Sequence, residues 1–293
     1  MSAPSGASLT DPGVGIAPVR PHERIEVIDI LRGLAVFGIL LVNMRSYGGF
    51  GHLRQLWTPA DRAVALWLVD LLADDKFYTL FSFLFGLGFA IQMGRVESRG
   101  APFVPFYCRR LFVLLLIGFL HTFLIWWDEI LRIYAVLGFL LLLFRPRSRR
   151  MILAAAFICL LIHPVYFAAL TGIHDLRLAD PQTVQQVIRA DAERQADRRA
   201  EREQELRVYS RGSFREIVVQ RAREVKGDST NPRIYLWWWT SIFSQFLLGL
   251  YAGRRRIFEN IPAHLPFFRK VLWWGLGLGL AGTLVSLVVW ELP

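Results

Sequence analysis

The sequence predicts an all-α membrane protein, a polytopic bundle of about seven transmembrane helices with a cytoplasmic N-terminus. Three observations lead there. Of the 293 residues, 54% are hydrophobic, more than one soluble core absorbs. Charge is confined to blocks, with apolar stretches such as Leu111 to Trp127 and Ile133 to Phe144 between them. Lys and Arg fill alternate connections, so seven spans bring every short basic loop to one side of a bilayer, as the positive-inside rule requires. The same placement accounts for the net charge of +10 without a nucleic-acid partner, because the basic residues flank apolar segments. The composition also excludes a disordered chain and a disulfide scaffold.

Residues 1–23, rich in Gly, Ala, Pro and Ser at their start, lack a basic region followed by an apolar core. They are expected to form a disordered cytoplasmic tail without a signal peptide. Spans are expected at Ile28 to Met44, Phe77 to Met93, Leu111 to Trp127, Ile130 to Phe144, Met151 to Leu170, Tyr235 to Ala252 and Val271 to Trp290. Several fall short of the ~20 residues a spanning helix needs, so their ends must extend into flanking polar residues. The four basic segments are Arg20 with Arg24; Arg95, Arg99, Arg109 and Arg110; Arg145, Arg147, Arg149 and Arg150; and Arg254, Arg255, Arg256, Arg269 and Lys270. The chain thus divides into the tail, a five-span bundle over 24–170, an external polar helical segment over 171–233 and a two-span segment over 234–293.

Residues 171–233 hold 13 Lys and Arg against 11 Asp and Glu, a balance unlike a nucleic-acid arm. Thr183 with Gln186 and Ser213 with Glu216 have capping-box spacing, and Phe214, Ile217, Val218 and Val225 form an apolar stripe. Such a helix would rest on the membrane surface or cover an outward-facing site; the plainer alternative is a solvated hairpin linking two spans. Cys108 and Cys159 lack metal-ligand spacing and read as small buried side chains, so no metal is expected.

Ionisable groups within spans are costly and mark candidate functional positions. Asp29 and Arg32, three apart on one helix face, are placed to pair as a structural brace or as part of a site. Asn43 lies near the outer end of the first span, ahead of the glycine-rich run Ser46 to Gly51 that leads to His52. His121 sits deeper, in the third span, and Asp128 with Arg132 has i, i+4 spacing at the junction of spans three and four. The glycines of 84–88 and of 275–279 echo a dinucleotide fingerprint, but with no preceding strand they read as close helix packing. Trp126, Trp127 and Trp237 to Trp239 suit an interfacial aromatic belt.

Arg24-Ile-Glu-Val-Ile-Asp29-Ile-Leu-Arg32-Gly33, Gly38-Ile-Leu-Leu-Val-Asn43, Lys76-Phe77 with Leu80-Phe-Ser-Phe-Leu-Phe-Gly86, Arg109-Arg110-Leu with Gly118-Phe-Leu-His121, and Asp128-Glu-Ile-Leu-Arg-Ile-Tyr134-Ala together resemble the YeiB-like family of bacterial membrane proteins. The likeness covers roughly Arg24 to Leu143. Its members usually continue through several more spans, whereas this sequence stops just after its seventh. The D-x-x-R-G element and the pairing of an Asn with a loop His also resemble heparan-alpha-glucosaminide N-acetyltransferases and related transmembrane acyltransferases.

The resemblance implies a multi-pass protein of the bacterial inner membrane that moves an acyl group from cytoplasmic acyl-CoA, a donor substrate and not a tightly bound cofactor, to an envelope saccharide or lipid. It implies His52 as outer-face base or transient acyl carrier, with Asn43 orienting it or donating to the oxyanion. It also implies Arg32, Arg109 and Arg110 as the grip on CoA phosphates. Asp29, His121, Asp128 and Arg132 are expected to be structural or supporting. The rival class is a small-solute transporter or exporter, against which stands the lack of an internal repeat.

Overall fold

The computed structural model describes residues 25–47, 75–127, 129–178, 189, 195, 200–229 and 232–291. The described chain is helical: α1 Glu26–Tyr47, α2 Lys76–Ser98, α3 Phe103–Leu124, α4 Leu131–Leu142, α5 Arg149–Leu178, α6 Phe214–Ser229, α7 Pro232–Arg254 and α8 Ile261–Glu291, with a further helical stretch at 200–211. Within them, Glu26–Met44, Lys76–Ser98, Phe103–Leu124 and Arg149–Tyr166 are each long and apolar enough to cross a membrane. The 12-residue α4 rises only ~18 Å, short of the ~30 Å hydrocarbon layer.

A helix stands at each of the seven apolar segments, but two begin early. α3 starts at Phe103 and takes in Arg109 and Arg110, which the sequence placed in a connection. The connection itself is the short turn 99–102, where Gly100 has φ 69°. Pro105 falls in the first turn of α3, where its missing N–H has no intrahelical partner to lose. α8 likewise takes in Arg269 and Lys270. Long arginine stems let such helices extend past the apolar layer.

α7 packs chiefly against α2 and α5, α3 against α4, and α1 against α2. The α2–α7 crossing is close because glycines meet backbone there. A methyl on Gly86 would overlap the Phe246 carbonyl oxygen, and one on Gly249 would overlap that of Phe83 and stand 2.7 Å from Leu87 N. Around this crossing Phe85 stacks on Phe246 at 4.4 Å, and Tyr134 of α4 meets Phe246 edge-on at 5.0 Å and stacks on Phe81 at 5.6 Å. The Tyr134 hydroxyl is buried but bonded to Ser82 Oγ at 2.5 Å, and it donates to the Tyr78 carbonyl at 3.2 Å. A polar group without water nearby needs such partners.

Outside this core the helices present apolar faces to the surroundings. Ile30, Phe37, Phe112, Leu116, Ile158 and Val165 are each more than half exposed. In water these faces would form far larger apolar patches than soluble monomers carry; in a lipid bilayer they are matched to their solvent. The protein is a membrane protein. Gly275 and Gly277 have nothing within 4 Å among the described residues, so the close packing expected at these glycines is not seen there.

Three of the four basic segments meet at one end of the bundle, the first lying outside the described residues. Arg254 donates to the carbonyls of Phe144, Arg145 and Arg147, placing a cation at the C-terminal end of α4. Arg145 pairs with Glu97 at 2.8 Å. At the opposite end, Arg221 of α6 donates to the Phe123 carbonyl at 2.9 Å and Tyr209 rests 6.5 Å from Trp126, so the polar segment docks on the last turn of α3. α6 opens on the expected capping box, Ser213 N and Oγ both donating to Glu216 Oε2. Within its apolar stripe Ile217, Val218 and Val225 are half-buried while Phe214 is exposed.

Candidate functional site

Polar groups gather at both ends of the unit formed by α1, α2 and α3. At the basic end, Arg32 Nη1 lies 3.3 Å from Asp29 Oδ1, so the sequence-adjacent pair forms. The guanidinium then reaches α2 beside Gly88, where a Cβ would stand 2.7 Å from Arg32 Nη2. Arg110 and Arg95 lie within electrostatic range of Arg32, and Arg110 donates to Gln92 Oε1 at 2.5 Å. Cations held this near one another repel, and an anion between them relieves that repulsion. Arg109 is exposed and stands about 100° round α3 from Arg110. Two of the three expected phosphate-binding arginines are therefore brought together, with Gln92 as a neighbour that sequence reasoning missed.

At the other end a cavity of about 400 Å³ opens between α1, α2, α3, α4 and α7. Asn43, Asp75, His121 and Glu129 supply its polar lining, and Tyr78 and Trp238 lead the aromatic part. Few converging polar groups in an apolar wall is the usual make-up of a small-ligand site. Asn43 thus lies on the cavity wall; His52 lies outside the described residues. His121, expected only to support, lines the cavity itself.

At the α3–α4 junction Arg132 pairs with Glu129, Nε donating to Oε1 at 2.7 Å, a contact the sequence reading did not name. Asp128, the partner expected for Arg132, lies outside the described residues. Glu129 precedes α4, so its side chain folds back over the helix start and accepts from Leu131 N and Arg132 N as well as from Thr122 Oγ1 of α3 at 3.2 Å. Four donors on one buried carboxylate fix the corner. Gly118 makes the approach possible, since a Cβ there would stand 2.8 Å from Arg132 N. The signal was present in the sequence as Glu129-Ile-Leu-Arg132, an acid three residues ahead of a base at a helix start.

Comparison with known proteins bears on the likeness read from the motifs. The chain is 34% identical over 282 residues to the uncharacterised protein YxaH of Bacillus subtilis, covering 90% of this chain and 66% of YxaH. It is 38% identical over 122 residues to the uncharacterised protein YeiB of Escherichia coli, covering 40% of this chain and 30% of YeiB. The chain is thus homologous to YeiB and YxaH, in line with the YeiB-like resemblance of its motifs. A third relative, an uncharacterised 39.9 kDa protein of Bacillus acidopullulyticus, is 36% identical over 154 residues, 42% of its length. The chain spans slightly less than two thirds of YxaH and smaller shares of the other two YeiB-like relatives. No family model matches the chain, and no solved structure does.

Proposed function

We propose that this protein is a seven-span transmembrane acyltransferase of the bacterial inner membrane. Its N-terminus is cytoplasmic, and it takes an acyl group from cytoplasmic acyl-CoA and delivers it to an envelope saccharide or lipid. The single observation that carries the reading is the placement of the Arg32–Arg110 cluster and the cavity holding Asn43 and His121 at opposite ends of the same three helices. Arg32 and Arg110 bind the CoA phosphates by charge-assisted hydrogen bonds, and pantetheine, long and thin, runs between the helices toward the cavity. Asn43 donates to the developing oxyanion, and His52 serves as base or transient acyl carrier.

The test is CoA binding by the purified full chain in detergent, measured calorimetrically. Binding that weakens at least about 10-fold in Arg32→Ala, with the fold retained, supports the reading. No binding at millimolar CoA overturns it and puts the small-solute transporter ahead.

A further inference from the structure

The cavity holds one imidazole whose bonding sets it apart from the other polar groups in the lining. Glu129 is saturated: Thr122 Oγ1, Leu131 N, Arg132 N and Arg132 Nε all donate to its carboxylate. Asp75 is engaged in an interaction of its own. Asn43 carries an amide, which neither gains nor loses a proton near neutral pH. His121 Nδ1 is buried from solvent and has no hydrogen-bond partner among the described residues. Its backbone is held firmly, because the His121 carbonyl accepts from both Ile125 N and Trp126 N at 2.8 Å where α3 ends. With the ring proton on Nε2, Nδ1 is a bare acceptor, and a rotation of the ring toward the cavity that His121 lines lets a ligand O–H or N–H supply the missing donor.

We propose that His121 is a catalytic residue of this site, the group that takes the proton from the acceptor. The inference rests on the acyl-transfer reading for the electrophile and departs from the family likeness, which puts the base at His52. The acceptor hydroxyl or amine donates to Nδ1. As its oxygen or nitrogen bonds to the thioester carbonyl carbon, the proton passes to Nδ1. The C–S bond then breaks, and the CoA thiolate leaves with the proton returned from the imidazolium. Acyl-S-CoA and acceptor become acylated acceptor and free CoA thiol, with no further reactant. Asn43, on the same cavity wall, is placed to steady the oxyanion in the intermediate.

The experiment uses membrane vesicles carrying the full chain, in which envelope acceptors are present, with radiolabelled acetyl-CoA as the donor probe. His121→Asn keeps an acceptor atom near the position of Nδ1 but takes up no proton. Label transfer is expected to fall about 100-fold or more with protein yield unchanged. His121→Gly is expected to lose transfer similarly and to regain part of it on addition of imidazole, a rescue that a purely structural histidine does not give. Wild-type transfer with an undiminished rate in His121→Asn overturns the assignment and leaves the acyl-transfer reading standing. Loss of transfer in His121→Gly with no recovery in imidazole, alongside full activity in His121→Asn, overturns it equally. No label transfer by the wild-type chain overturns both.

Discussion

Arg32 of α1 lies against Gly88 of α2, its Nη2 2.7 Å from where a Cβ on that glycine would stand. The contact is with the far end of a flexible side chain and not with backbone, which decides what a substitution does. Gly88→Ala is expected to fold normally, since Arg32 swings aside at little cost, and to move the guanidinium away from Arg110. CoA affinity should fall about 10-fold, the worth of one charge-assisted hydrogen bond, in a calorimetric titration. Unaltered affinity in a folded Gly88→Ala protein contradicts the placement of the anion site at Arg32.

Gly249 presents the opposite case. A Cβ there overlaps the Phe83 carbonyl oxygen, and neither helix backbone can move aside without separating α2 from α7. Gly249→Ala should therefore lower stability by about 1–3 kcal/mol, the usual cost of overpacking. Thermal unfolding in detergent should show a lower midpoint than wild type, while Gly275→Ala, on a face with open space, should show none of the loss.

How much of this was legible from residues alone depends on the range of the contact. The seven apolar segments and the Ser213–Glu216 cap were readable because composition, periodicity and a spacing of three are local properties. Gly86 was recognisable as a packing glycine, but its partner Gly249, 163 residues on, gave no signal of its own. The Arg132–Glu129 contact was missed because i, i+4 is the spacing sought inside a helix, whereas Glu129 lies ahead of α4, where side-chain direction follows the turn. The role proposed for His121 depends on its lacking a partner among the described residues while lining a cavity of five converging helices, which no window of sequence contains.

The capping box on α6 sets a pH dependence. The Ser213 backbone N–H, and then its hydroxyl, hold the Glu216 carboxyl below the usual carboxylate range. A group with a lowered folded value stabilises the fold above its unfolded value and loses that contribution as pH falls through the folded value. The first turn of α6 should thus fray on acidification below the ordinary carboxylate range. Hydrogen exchange at Glu216 and Ile217 should accelerate there, and Ser213→Ala should show the fast rates already at neutral pH. Exchange that is flat across that range denies the box its role.

The basic end gives an expectation for the orientation proposed above. Arg145, Arg147 and Arg149 stand at the same end as Arg254, joined through its hydrogen bonds to the α4–α5 turn. With the positive-inside rule, a reporter fused after Arg150 should be cytoplasmic and one fused near Gln195 external. A cytoplasmic Gln195 fusion means that an odd number of spans before it is miscounted and removes the cavity from the outer face.

The buried corner at Glu129 gives the last expectation. Glu129→Gln leaves size and shape but removes the charge that Arg132 faces, and it turns one acceptor oxygen into an NH2 aimed at existing donors, since Leu131 N, Arg132 N and Arg132 Nε all point at this carboxyl. Breaking one side of a buried pair typically costs ~3–5 kcal/mol, and the partial exposure of Arg132 lowers that to about 2–3 kcal/mol. Unfolding in detergent should shift accordingly. The double substitution Glu129→Leu with Arg132→Met should recover part of the loss, because it removes both charges together and leaves neither buried alone. Since Glu129 acts by holding the α3–α4 corner, the paired variant should also retain CoA binding at the far end of the bundle. A Glu129→Gln protein as stable as wild type, or a double variant less stable than the single, would show that the four donors do not hold this corner.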